Sequence, residues 1–168
     1  MSALFRISVG VVVERRKAMS QWTDFIWQPV AVLPDVPDAT PWTVIKHDAD
    51  RTSFYAGPAI VEFHTTETSH YRDNLTAGAK LWVVLRPTEV ADPAYQIACV
   101  TADPFEGEGY TEAGNDIVES VPMPEVVRDA LEAFVAEHHV EQTFYKRKRD
   151  RPDTEALGRR SRTGEDDR

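Results

Sequence analysis

Apolar runs of four to nine residues divide much of the chain into short predicted β-strands. The clearest run, 5–13, alternates at first and ends on three consecutive valines, whose branched side chains favour a pleated sheet. Pro29 lacks an N–H donor, so we expect its strand at a sheet edge or a bulge. Short connections between the runs favour antiparallel pairing. The other runs cover 22–27, 30–33, 42–46, 52–56, 59–66, 81–87 and 96–101, and those on either side of Pro29 belong to one extended segment.

The periodicity changes to that of a helix after Pro124. Apolar residues recur at positions i, i+4, i+7 and i+8, and they are Val127, Leu131, Phe134 and Val135. This spacing produces one apolar stripe on an otherwise polar helix, which we expect to pack on the sheet. A shorter helix of one or two turns is predicted over 69–77, ending at Gly78.

These elements predict an α+β fold with a mostly antiparallel, curled β-sheet of six or seven short strands. A C-terminal capping helix and a polar, partly basic tail complete it. We expect residues 1–140 to form a single domain and residues 141–168 to form a charged tail that is mobile unless bound to a partner. The tail holds nine Lys/Arg and seven Asp/Glu, whereas residues 1–140 hold ten and 21. Because an acidic body repels phosphates, the charge disfavours nucleic acid as the ligand.

The apolar runs are also too short for a membrane helix, which needs about 20 apolar residues. The first apolar stretch alternates and is followed by charge, unlike a secretory signal. We therefore expect a cytoplasmic protein without a membrane partner. Its single cysteine, Cys99, is predicted to be an inert buried thiol.

The sequence contains few residue patterns that are typical of a catalytic or metal site. His64 and His70, with Glu62 and Glu67, are the grouping that most resembles a metal shell, but His70 lies beyond a predicted break in the strand. No Gly-x-Ser-x-Gly turn or clustered glycine loop is present in the sequence. We therefore predict no enzyme, no catalytic or metal-ligating residues and no cofactor.

Aromatic and basic residues provide the candidate contacts with a partner. Trp22 and Trp27 are five residues apart, so an extended chain places them on opposite faces and leaves one partly exposed, whereas Trp42 and Trp82 are predicted to lie in the core. An aromatic pair followed by a basic run is typical of a linear docking motif. A solvated tail, nucleic-acid stacking and self-docking on the acidic 103–119 segment remain alternatives. The predicted partner-binding residues are Trp22, Trp27, Phe144, Tyr145, Lys146, Arg147, Lys148 and Arg149.

Several segments in this order resemble an uncharacterised proteobacterial family, a domain of unknown function. Genes of that family commonly lie beside those of molybdenum-dependent formate dehydrogenase and its maturation factors. The resemblance implies a pathway rather than an activity. The segments that carry it are Arg6–Arg15, Trp22–Pro34, Ala102–Glu108, Val121–Pro124 and Phe144–Arg151.

Our leading hypothesis from the sequence is a non-catalytic accessory or assembly protein for a formate-dehydrogenase-type molybdoenzyme, acting by protein–protein contact. Its expected partner is a formate dehydrogenase subunit or a maturation factor. The first alternative is a small-molecule or molybdenum-cofactor carrier with a pocket lined by Trp and Phe. An enzyme that uses His64 and Glu62 with a metal is a further alternative, and a nucleic-acid-binding regulator comes last.

Overall fold

A computed structural model describes residues 5–19, 24–90 and 92–139, which form seven strands and three α-helices. The strands are β1 (Phe5–Lys17), β2 (Phe25–Leu33), β3 (Thr43–His47), β4 (Arg51–Phe63), β5 (Lys80–Pro87), β6 (Tyr95–Thr101) and β7 (Ile117–Pro122). The α-helices are α1 (Thr68–Gly78), α2 (Pro104–Gly109) and α3 (125–139). Short 3-10 turns at Thr65–Glu67 and Tyr110–Ala113 precede α1 and follow α2.

The strands form two antiparallel sheets. The larger sheet has the order β2-β1-β4-β3, and the smaller has the order β6-β5-β7. The inner strands β1 and β5 each bury consecutive apolar residues, so both of their faces are covered. The predicted α+β class and the antiparallel pairing are confirmed. The consecutive buried residues are Val11, Val12 and Val13 in β1 and Val83, Val84 and Leu85 in β5.

Pro29 lies where its missing donor predicts. It belongs to β2, the edge strand of the larger sheet, and pairs with Val13 directly after a bulge in the register. The apolar stripe of α3 is also confirmed, since Val127 and Leu131 are fully buried and Phe134 nearly so, all within the same core cluster as both sheets.

Two pairs of apolar runs each join into one strand. Segment 52–56 and residues 59–63 of the segment 59–66 form the single strand β4, because Gly57 adopts φ +135° at a bulge and lets the pairing continue through Pro58. Residues 25–27 and 30–33 likewise meet in β2, where the bulge opposite Val12 and Val13 accommodates the proline. The predicted strand end at 66 is wrong, since a 3-10 turn occupies Thr65–Glu67.

Two further strands differ from the prediction. Strand β1 continues through its charged end to Lys17, since Glu14 and Arg15 still pair with both neighbouring strands. Strand β7 was not predicted. Trp82 lies in β5 as predicted, but it is half-buried rather than part of the fully buried core.

The proposed tail, 141–168, lies outside the described residues, as does Trp22. Among the described residues, none of the helices combines the length and the apolar content needed to cross a membrane.

Candidate functional site: an aromatic pocket and a histidine–carboxylate cluster

One end of the larger sheet forms the floor of a pocket. The pairing register places one residue of each strand in a single row across the sheet, and that row is Trp27, Arg15, Thr52 and His47. The next row on the same face contributes Phe54 and Val44, which are paired with each other. The sequence alone could not align these residues, because three register shifts separate the strands.

Three aromatic rings enclose this pocket. Trp27 stacks on Phe54 with ring centroids 5.8 Å apart, and Trp42 contacts Trp27 edge-on at 6.1 Å and Phe54 at 5.8 Å. Tyr95 of the smaller sheet packs on Trp27 at 5.7 Å, so both sheets support the indole. Such ring pairs add about 0.5–1.5 kcal/mol each beyond their buried area, which makes the arrangement rigid.

Trp42 is held in an unusual backbone conformation. Its φ is +70°, which a bulky residue rarely adopts, and its N–H donates to the carbonyl of Tyr55 in β4. Trp42 was predicted to lie in a strand and in the core. It instead precedes β3 and lines the pocket half-buried. Strained backbone of this kind concentrates at binding and catalytic sites.

The pocket has a volume of about 400 Å³ and combines an aromatic wall with a few polar groups. The guanidinium of Arg15 lies over the rings of Phe25, Trp27 and Phe54, at 4.4, 5.6 and 5.3 Å from their centroids. His47 and Thr52 join at the floor through a hydrogen bond of 2.8 Å, and Asp92 lies in the wall. We call this site the aromatic pocket.

A smaller polar cleft of about 120 Å³ lies between β4 and β6. Glu62 and His64 form one wall, with a carboxylate–imidazole distance of 3.4 Å, and Arg6 also binds Glu62 at 3.0 Å. Thr101 and Glu106 form the other wall, where the hydroxyl of Thr101 donates to the carboxylate at 2.6 Å.

Next to this cleft, Glu67, His70 and Asp103 form what we call the histidine–carboxylate cluster. Nδ1 of His70 lies 3.0 Å from Oε1 of Glu67 and 3.0 Å from Oδ1 of Asp103. The sequence grouping of His64, His70, Glu62 and Glu67 is thus split between the cleft and the cluster. Asp103 was missed as a neighbour of His70, although its position before Pro104 is typical of a helix N-cap.

Local structure fixes the members of this cluster. Asp103 caps α2 by accepting hydrogen bonds from the N–H groups of Phe105 and Glu106, at 2.9 and 3.4 Å. The ring of Phe105 then stacks on that of His70 with centroids 4.2 Å apart and planes 4° apart. The cap thereby holds both Asp103 and the surface on which the imidazole lies.

The hydroxyl of Tyr71 lies beneath the same region and accepts a hydrogen bond of 2.8 Å from the N–H of His64. Burial, together with the negative charges of Asp103 and Glu67, raises the pKa of Tyr71 to about 12, although the hydrogen bond from His64 opposes the rise. Tyr71 therefore stays a neutral structural group.

Cys99 faces the polar cleft. Desolvation raises the pKa of its thiol to about 11, although a hydrogen bond with Tyr110 opposes the rise. A thiol with that pKa is almost wholly protonated at neutral pH, which agrees with the inert thiol predicted from the sequence. It is half-buried rather than buried.

Of the eight predicted partner-binding residues, Trp27 lies among the described residues, and it lines the aromatic pocket. The pocket residues that sequence reasoning did not single out include Arg15, His47 and Phe54, whose common position depends on strand register. The other seven predicted residues lie outside the described part of the chain, and they are Trp22, Phe144, Tyr145, Lys146, Arg147, Lys148 and Arg149.

Comparison with known proteins connects the chain to a family. The model of the family described as "Protein of unknown function (DUF3305)" matches residues 8–148 of the chain. Neither the curated proteins nor the solved structures give a match.

Proposed function

We propose that this chain, which belongs to the DUF3305 family of unknown function, is a non-catalytic accessory or assembly protein that acts by protein–protein contact in the cytoplasm. The partner that we propose is a subunit or maturation factor of a formate-dehydrogenase-type molybdoenzyme. That choice of partner rests on the sequence resemblance described above. The observation that carries the contact function is the aromatic pocket.

The pocket supports this function because its rings are partly exposed and already fixed. Trp27 and Trp42 are both half-buried, and each contacts two or more other rings. Tryptophan is enriched among the residues that dominate binding energy at interfaces. Since these side chains lose little freedom on binding, the entropic cost of association is reduced.

The surroundings of the pocket suit an extended segment of a partner. β3 is an edge strand of the larger sheet with all five residues exposed, and Val44 and Ile45 show 52% and 54% of their surface. Phe25, which is 41% exposed, provides apolar surface at the opposite edge. An edge strand can accept a further strand by backbone hydrogen bonds, while a neighbouring pocket receives a side chain.

The polar groups of the pocket indicate what that side chain is. The guanidinium of Arg15 lies against the aromatic rings of the pocket, so a second cation would be repelled there. An aromatic side chain with a neighbouring carboxylate would stack on Trp27 or Trp42 and pair with Arg15. We therefore propose a segment of this composition as the part of the partner that enters the pocket.

The test is a pull-down from the native host with mass spectrometry, comparing the full chain with its Trp27→Ala and Trp42→Ala variants. We expect formate dehydrogenase subunits or maturation factors with the wild type and a loss of at least about tenfold in both variants. Val126→Ala is the matched control, because Val126 is 49% exposed and lies on α3 away from the pocket. Equal recovery from folded variants, as judged by circular dichroism, would contradict the role of the pocket.

A second comparison tests the predicted tail. The full chain and a chain truncated after Val140 are used as baits under the same conditions. If the truncated chain loses the partner, the docking motif lies in the tail at Phe144, Tyr145 and the basic run Lys146–Arg149. If both retain it, the interface lies on the folded body, where Trp27 and Trp42 are the targets. If neither captures a specific protein, the accessory function is contradicted.

The volume of the pocket favours a second candidate, a small-molecule or molybdenum-cofactor carrier. About 400 Å³ lies within the range of small-molecule sites, and the aromatic wall with few polar groups is typical of them. A ligand that binds the native state raises the melting temperature and, next to two indoles, changes tryptophan fluorescence. A thermal-shift screen with nucleotides and molybdopterin species, repeated with Trp42→Ala, tests this candidate. A screen in which no compound raises the melting temperature would contradict the carrier function.

A further inference from the structure

The histidine–carboxylate cluster contains a polar atom in an unusual state. Nδ1 of His70 is buried and makes no hydrogen bond of acceptable geometry with any described group, although two carboxylate oxygens lie 3.0 Å from it. Buried polar nitrogens are nearly always hydrogen-bonded, so one that is not calls for an explanation. Its neighbours are close enough to interact but wrongly placed for a proton to lie between them.

A metal ion accounts for this arrangement. Ligands about 2.1 Å from a metal and at right angles to one another lie about 3.0 Å apart. This matches both distances from Nδ1 of His70, to Glu67 and to Asp103. We propose that Glu67, His70 and Asp103 bind one divalent transition-metal ion at octahedral angles, and Zn²⁺ serves as the probe for this site.

The ligands are held by rigid parts of the fold. Glu67 ends a 3-10 turn and His70 lies three residues later in α1, so both side chains project from one side of the same segment. Asp103 belongs to a different segment, the N-terminus of α2, and is buried. Stacking of His70 on Phe105, with ring planes 4° apart, orients the imidazole.

The ligand types select the class of metal. One imidazole nitrogen and two carboxylate oxygens suit Zn²⁺, Mn²⁺ or Fe²⁺, because Ca²⁺ prefers oxygen alone and Cu⁺ prefers sulfur. Three protein ligands leave further coordination positions for water or a substrate. The polar cleft adjoins the cluster, since the N–H of Asp103 donates to the hydroxyl of Thr101 and the N–H of Glu106 donates to the carboxylate of Asp103.

An ion pair is the competing explanation. A protonated His70 between two carboxylates would need no metal, and the same distances would result. The two explanations differ in a measurable way: the ion pair predicts no specific metal affinity, whereas the metal site predicts one ion per chain whose affinity depends on all three residues.

The test is a titration of the full chain with Zn²⁺ by isothermal calorimetry, with Co²⁺ absorption as a spectroscopic probe of the bound metal. We expect one ion per chain, and we expect His70→Ala and Glu67→Gln each to weaken the affinity at least about tenfold. His64→Ala is the matched control, because His64 also lies beside a carboxylate, that of Glu62, but outside the cluster. This control should bind Zn²⁺ as the wild type does.

A third variant separates ligation from folding. Asp103→Asn keeps a side chain that caps helices well, so α2 should remain intact while a carboxylate ligand is lost. We expect Zn²⁺ to raise the melting temperature of the wild type and not that of Asp103→Asn. The proposal is overturned if the wild type binds no Zn²⁺, Mn²⁺ or Fe²⁺, or if His70→Ala binds as tightly as the wild type. Either result would leave the aromatic pocket and its pull-down test unaffected.

Discussion

The indole of Trp42 meets the indole of Trp27 edge-on, with centroids 6.1 Å apart and planes at 83°. This contact is made from a backbone whose φ is +70°, a region that glycine enters readily and other residues do not. The position thus combines a large side chain with a backbone that disfavours any side chain.

That combination predicts a reversed order of stability between two variants. At most positions alanine is more stable than glycine, but at φ +70° a Cβ costs about 1–2 kcal/mol. We expect the free energy of unfolding of Trp42→Gly to exceed that of Trp42→Ala by about 1 kcal/mol. Urea denaturation measures this difference in the free energy of unfolding. Both variants lose the indole ring, so that loss cancels when they are compared. In β3, Val44→Gly should instead be less stable than Val44→Ala, and the same order at Trp42 would contradict the strained backbone.

Two glycines of α2 predict opposite responses to the same substitution. A Cβ at Gly107 would overlap the side chain of Trp82, whereas a Cβ at Gly109 would meet no atom within 4 Å. We expect Gly107→Ala to destabilise the protein by about 1–3 kcal/mol through overpacking. Gly109, at φ −62°, already has a helical backbone, so Gly109→Ala should stabilise by about 0.5 kcal/mol. Thermal denaturation of both variants is the measurement, and equal effects would argue against the close approach of α2 to Trp82.

The sequence predicts those elements of the fold whose periodicity is regular. The apolar stripe of α3 and the valine run of β1 bury the residues that their spacing indicates. β7 was missed because Ile117 and Val118 are adjacent, without alternation, and follow an acidic segment. Gly57 and Pro58 are typical of a break between two strands, so β4 was predicted as two. A bulge in the pairing with β1 carries the strand past them, and such a bulge depends on the partner strand rather than on the local sequence.

The candidate sites were less predictable because they depend on contacts between distant segments. Trp27 could be selected for its residue type, but its row with Arg15 and Thr52 requires the register of three strands. Likewise, Glu67 and His70 are close in sequence, whereas Asp103 reaches them only because α2 begins beside α1.

Asn74 predicts a large loss of stability from a single small change. Its buried amide donates to the carbonyls of Lys80 and Ala102, at 2.8 and 2.9 Å, and accepts from the N–H of Lys80 at 2.9 Å. Asn74→Ala leaves these groups without partners, and we expect a cost of about 2–3 kcal/mol in urea denaturation. The exposed neighbour Asp73 is the control, since Asp73→Ala should change stability by less than about 0.5 kcal/mol. A similar, small effect at both positions would contradict a stabilising role of the hydrogen bonds from Asn74 to Lys80 and Ala102.

Cys99 predicts a pH dependence that one reagent can follow, because it is the single cysteine of the chain. Burial raises the pKa of its thiol from 9.0 to about 11. Since the thiolate is the reactive form, the rate of alkylation by iodoacetamide should stay low at about pH 8 and rise steeply as the pH approaches about 11. The folded state holds this proton more tightly than the unfolded state, so the associated stability is present below about pH 9 and is lost as the pH rises through about 11.

The hydrogen bond between Tyr110 and Cys99 provides the control for this profile. Tyr110→Phe removes the hydrogen bond that opposes the shift, so it should raise the pKa of Cys99 further and slow alkylation between about pH 9 and 10. The urea-unfolded chain is the reference, because there the thiol is hydrated and titrates near its ordinary pKa of 9.0. A native rate profile equal to that of the unfolded chain would contradict the desolvation of the thiol.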